Sequence, residues 1–227
     1  MMRKFVSEKA IYLLRFFFVC LFLFQTYVYT QSFAFQDGDI IFQVNESTSF
    51  TQAITKVTSH SNNYPYTHVG LVVVENDTVY VIEATPPFVS KTLLDSFLIH
   101  SMFIDGNPLV TVTRLKTRYQ KYIPDAIKRA QTLIGKRYDY VFLPDNDAYY
   151  CSELIYACFL NEKGEPLFEA KPMTFKDSTG IITEGWMAHY KIYETQIPEG
   201  VEGTNPVDMS ESKIIYRVYD FYTSERN

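Results

Sequence analysis

Cysteine is scarce in this chain of 227 residues. Three residues, at positions 20, 151 and 158, are too few and too unevenly placed for a disulfide scaffold. The four histidines show no H-x-x-H spacing and no C-x-x-C occurs, so the sequence predicts neither a metal site nor a cofactor. Positive charge is also short. Against 26 Asp and Glu stand 21 Lys and Arg, a net of -5, which offers no basic face for nucleic acid. The longest uninterrupted apolar run, Phe16 to Phe24, falls well below the roughly 20 residues of a membrane-spanning helix. No internal repeat, and hence no wall-targeting repeat, is present. What the chain has is apolar bulk: 47% hydrophobic residues, including 18 Tyr and 18 Phe, enough for one well-packed domain.

The N-terminus reads as an export signal. Arg3, Lys4 and Lys9 precede the apolar run, and a polar stretch ends in Ser32-Phe33-Ala34, a small-x-small cleavage site. Residues 1–34 are therefore expected to be removed, with a single domain over 35–227. The alternative is a retained anchor. Without Arg3, Lys4, Lys9, Arg15 and Glu8, 17 basic and 25 acidic residues remain, a net of -8. Such a protein is expected to be periplasmic or extracellular, and to meet a membrane only through a lipid-like substrate.

The remaining chain alternates strand and helix signals. Gly38 to Val44 predicts a strand and Phe50 to His60 a short helix. Thr67–Val74 and Val79–Ala84, two β-branched runs about Asn76-Asp77, predict a hairpin, its first strand buried on both faces. Leu109–Leu115 predicts another strand. Ile123, Ala126, Ile127, Ala130, Leu133 and Ile134 then recur at helical spacing between Tyr119 and Gly135. A second helix is expected from about Asp147 to Phe159, and a last strand over Ile214–Tyr222. The intervening stretch, about 162–212, reads as an irregular insert.

Two residues in this frame point to chemistry. Cys151 is expected in a first helical turn, where free N–H groups and the helix dipole favour a thiolate and can hold an oxyanion. Cys158, about 10 Å further along the helix, is too distant for a disulfide and reads as a buried, inert thiol. His68 opens a buried strand, where an imidazole needs partners. A two-residue turn at Asn76-Asp77 pairs Glu75 with Thr78 and so puts Glu83 opposite Gly70, diagonal to His68 on the same face. Glu83 is then placed to orient the imidazole, leaving its other nitrogen for a thiol proton. His60, His100 and His189 carry no comparable pattern. Geometry alone does not bring Cys151 to His68.

The ordered set Asp37-Gly38-Asp39-Ile40-Ile41-Phe42, Thr67-His68-Val69-Gly70, Val81-Ile82-Glu83-Ala84, Gly135-Lys136-Arg137-Tyr138-Asp139 and Tyr150-Cys151-Ser152-Glu153-Leu154 resembles the permuted NlpC/P60 cysteine hydrolases of the YiiX/YebB-like group. It covers about residues 36–160. The resemblance implies an α+β, circularly permuted papain-like fold, with an antiparallel sheet packed on the cysteine helix and the histidine strand preceding that helix. It implies Cys151 as nucleophile, His68 as base and Glu83 as orienting residue. Tyr138 is similar to the family's active-site tyrosine, and Tyr138, Tyr150 and Ser152 are expected to hold substrate or oxyanion. The expected activity is hydrolysis of an amide or ester, in a cell-wall peptide or an N-acyl or lipid-like substrate, through a thioester. Acyl transfer by the same pair and a non-catalytic binding module are the alternatives. Beyond about residue 165 the chain matches nothing in this pattern.

Overall fold

The computed structural model describes residues 33–46, 48–58, 64–144 and 146–222. The chain divides into two units, 1–34 and 35–227, and the fold below is that of the second. The expected signal segment lies almost wholly outside the described residues, as do Cys20 and His60. Among the described residues no helix is long and apolar enough to cross a membrane.

The second unit opens with strand β1 (Ile40–Gln43) and helix α1 (Ser49–Thr58), followed by the hairpin β2 (His68–Glu75) and β3 (Thr78–Thr85). Asn76 and Asp77 both take positive φ, 48° and 62°, the type I′ geometry that matches strand twist. The register is the expected one, Glu75 against Thr78 and Gly70 against Glu83. Next come β4 (Phe88–Leu93), α2 (Leu94–Leu98), a small hairpin β5 (Phe103–Ile104) and β6 (Asn107–Pro108), and β7 (Val110–Leu115). A 3-10 segment, Thr117–Tyr122, leads into α3 (Ile123–Leu133), so the expected helix from Tyr119 begins as a tighter coil. Strands β8 (Arg137–Tyr138) and β9 (Ala148–Tyr149) precede α4 (Cys151–Cys158). Strand β10 (Lys171–Pro172), α5 (Glu184–Ile192), β11 (Glu202–Gly203), α6 (Pro206–Ser210) and β12 (Ile215–Asp220) complete the chain.

Eight strands form one sheet in the order β12-β7-β1-β2-β3-β4-β8-β9. Every pairing in it is antiparallel except β8 with β9, which run parallel. Helix α4 packs on β2, β3 and α3, and its Leu154, Ile155 and Cys158 are buried in the same core as Val69, Leu71 and Val73. The motif around Asp39 is architectural. Asp39 is fully buried, pairs with Arg114 through both oxygens (2.7 and 2.8 Å) and accepts the Gln36 N–H, while Asp37 accepts from Val74 N–H.

Two expectations are corrected. Helix α4 begins at Cys151 rather than near Asp147: Asp147 has a positive φ of 55°, Asn146 Oδ1 accepts the Ala148 N–H, and Lys136 pairs with Asp147. Those contacts commit Ala148 and Tyr149 to a bridge beside Arg137 and Tyr138. The stretch 162–212 is only partly irregular, because it holds α5, α6 and the β10–β11 ribbon.

Candidate active site

Cys151 is the first residue of α4, so its N–H has no acceptor within the helix. The chain is turned into the helix at Tyr150, whose N–H donates to Glu153 Oε2 at 3.3 Å. Glu153 also sits in the first turn, where its charge suits the helix dipole. The β8–β9 bridge, with the Asp139 N–H donating to the Tyr149 carbonyl, draws Tyr138 to the same end of the helix.

His68 begins β2, and Glu83 lies where the hairpin register sets it. His68 Nε2 is 2.5 Å from Glu83 Oε2, and both residues are buried. The Cys151 side chain also acts on the imidazole and favours its charged form. With Nε2 given to Glu83, Nδ1 is the nitrogen left for sulfur. Phe97 stacks on the ring at 5.6 Å between centroids. Cys151, His68 and Glu83, 83 residues apart along the chain at the extremes, thus meet in one line.

Electrostatics favour charge in that line. Burial alone would keep His68 neutral, but hydrogen bonds to Cys151 and Glu83, with the charges of both, raise its pKa to about 10. Burial likewise opposes the Glu83 carboxylate, yet His68 and then Thr92 hold it below its ordinary value. Burial pushes the Tyr138 phenol well above its usual range, with Cys151 and Asp139 adding to the shift, so Tyr138 stays a neutral phenol with an O–H to donate. Cys158 is the contrast: burial in the core pushes its thiol up to about 12.

Tyr150 and Ser152, which flank the cysteine, are tied to the C-terminal region. The Thr204 N–H donates to Tyr150 Oη at 3.0 Å, and Thr204 Oγ1 donates to Ser152 Oγ at 3.0 Å. Burial pushes the Tyr150 phenol up to about 12. Ser152 is completely buried, which makes its hydroxyl a tie between α4 and residue 204. His189 donates Nε2–H to the Tyr140 carbonyl at 2.6 Å within an aromatic cluster, and burial lowers its pKa. His100 is exposed.

A cleft of about 450 Å³ opens over Cys151 and His68. Its lining includes Ile54 and Val57 of α1, Phe142, and a second wall of Met173, Phe175 and Trp186; α5, which carries Trp186, packs on α1. Phe142 is held at a positive φ of 56° because both oxygens of buried Asp139 accept backbone N–H groups, from Val141 and Leu143 at 2.8 Å each. That strained turn sets the ring against Tyr150 and Trp186. Lys171 and Asp208 add a charged pair to the lining. Sequence reasoning missed this second wall, Asp139 and Thr92. The single tryptophan was the one signal available for the wall, and Thr92 left none.

A model of the permuted papain-like amidase enzymes, the YaeF/YiiX, C92 family, matches residues 34–219. The uncharacterized protein YiiX of Escherichia coli strain K12 is 34% identical over 131 residues, 57% of this chain. The match spans 59% of that relative's length. The crystal structure of the metalloprotein YiiX from Escherichia coli O157:H7 superposes with a TM-score of 0.64 at 25% identity, covering 83% of this chain and 98% of that one. Among the described residues here, no group of three or more His, Cys, Asp and Glu side chains could hold a metal ion. Glu83 and His68 spend their polar atoms on each other, on Thr92 and on Cys151 instead of converging on a common point.

Proposed function

We propose that this protein, which belongs to the permuted papain-like amidase family, hydrolyses amide bonds with Cys151 as the nucleophile. The observation that carries the reading is the buried Glu83–His68–Cys151 line, with the cysteine at a helix N-terminus.

In this mechanism Cys151 Sγ attacks the carbonyl carbon while His68 Nδ1 holds the proton. The oxyanion is stabilised by the Cys151 N–H, with the Tyr138 phenol as a second donor at the same helix end. The C–N bond breaks, the amine leaves with the proton from His68, and the acyl group remains on sulfur as a thioester. Water, deprotonated by His68, then releases the acid. Glu83 keeps the imidazole oriented and stabilises its charged form throughout.

The acyl side of the substrate is the apolar one in this reading. Ile54, Val57, Phe142, Phe175 and Trp186 suit a hydrocarbon chain or ring, while the charged residues Lys171 and Asp208 of the lining pair with each other. Incubating wild type and Cys151→Ala with N-acyl amides, acyl esters and wall peptides, with products identified by mass, tests both points. Cleavage of the N-acyl amides by wild type alone is expected. Equal cleavage by the variant would refute the nucleophile, and exclusive cleavage of wall peptides would refute the acyl cleft. Export is part of the proposal, on the ordered basic, apolar and small-residue segments before Phe35. The exported protein should begin near Phe35 by N-terminal sequencing, and an intact Met1 in the membrane fraction would contradict this.

A further inference from the structure

Both oxygens of the Glu83 carboxylate are engaged. Oε2 faces His68, and Oε1 accepts from Thr92 Oγ1 at 2.6 Å. Thr92 is on β4, where it pairs with Val81, and so stands diagonal to Glu83 on the same face. Its hydroxyl also lies 3.3 Å from the Val81 carbonyl, but the shorter contact to the charged acceptor claims the single proton. A carboxylate held at one oxygen can swing about that contact. Held at two, its plane is fixed, and with it the line to the imidazole that Phe97 stacks against.

We infer that Thr92 is a positioning residue of the catalytic line, fixing the Glu83 carboxylate so that its other oxygen orients and charges His68. This rests on the assignment of Cys151, His68 and Glu83 made above. A threonine suits the task, since its branched side chain has few rotamers and its hydroxyl can donate without carrying charge. The other titratable groups near the line are His100, whose charge acts on Glu83 from the segment after α2, and Tyr138 beside Cys151. Lys91, next to Thr92, is turned to the other face and pairs with Glu75.

Losing the hydroxyl removes a donor that favours the carboxylate, so Glu83 binds a proton more readily. On acidification Glu83, His68 and Cys151 share proton uptake, and the acid limb of Cys151 reactivity belongs to the group. The test is the rate of iodoacetamide alkylation at Cys151, mapped by peptide mass, against pH in wild type, Thr92→Val, Thr92→Ser and His68→Ala. Thermal melts establish that each variant is folded. Thr92→Val should move the acid limb up by about one unit, the size expected for one hydrogen bond to a charged group, and lower the plateau rate. Thr92→Ser, which keeps the hydroxyl, should restore both. A folded Thr92→Val with the wild-type limb and plateau would overturn the inference; should it not fold, Thr92→Ala is read the same way. If the wild-type profile ignores His68→Ala, the Cys151–His68 pair itself fails, and the role of Thr92 falls with it.

Discussion

At the scale of single residues, pairing distinguishes the groups proposed to react from those that are not. Two cysteines share one short helix, yet Cys151 meets His68 at the helix start, whereas Cys158 is buried among apolar side chains. His68 also links stability to pH. Its folded pKa is raised, so the folded state binds its proton more tightly than the unfolded chain does. The resulting stabilisation is complete below the ordinary histidine value, near 6.5, and fades as pH rises through about 10. Wild type should therefore lose more melting temperature between pH 7 and 10 than Glu83→Gln, in which the partner charge is gone. Parallel losses in the two proteins would show that the pair contributes no such stability. In turnover, Glu83→Gln should cost about 10- to 1,000-fold, because the imidazole loses its orienting charge.

At the scale of elements, the sequence was informative wherever local rules decide the outcome. The Asn76-Asp77 turn dictated the hairpin register, and the register put Glu83 beside His68. Hydrophobic spacing found α3, and the cap region of α4 was found to within four residues. The departure at Asp147 arose because a local Asx turn at Asn146, together with an ion pair to Lys136 earlier in the chain, diverted it into β9. The hairpin also yields a stability test. Asp77 bears a positive φ that glycine adopts without steric cost, so Asp77→Gly should stabilise the protein by about 0.5 kcal/mol in denaturant titration. A destabilised variant would mean that the Asp77 side chain contributes more than the turn geometry suggests.

Across the second unit as a whole, the proposed catalytic line and the cleft over it differ in how visible they were. The line comes from residues 68–151, where motif and periodicity coincide. The second wall comes from residues 173–186 and 203–208, short elements with little periodicity of their own that are shaped by packing on α1 and α4. Thr204 joins the two parts through Tyr150 and Ser152, so the C-terminal third braces the cysteine as well as lining the cleft. Thr92 escaped notice for a related reason: a strand threonine is ordinary until its partner across the sheet is known.

Cys151 is proposed to carry the acyl group between the two halves of the reaction. Intact-protein and peptide mass spectrometry after rapid mixing with p-nitrophenyl acyl esters of short, medium and long chain tests it directly. The expected result is a mass gain equal to the acyl group on the peptide containing Cys151. It should be discharged by hydroxylamine, absent in Cys151→Ala and slowed at least about tenfold in His68→Ala. Catalytic ester turnover that persists in Cys151→Ala, with no acyl group on Cys151 in wild type, would contradict the account.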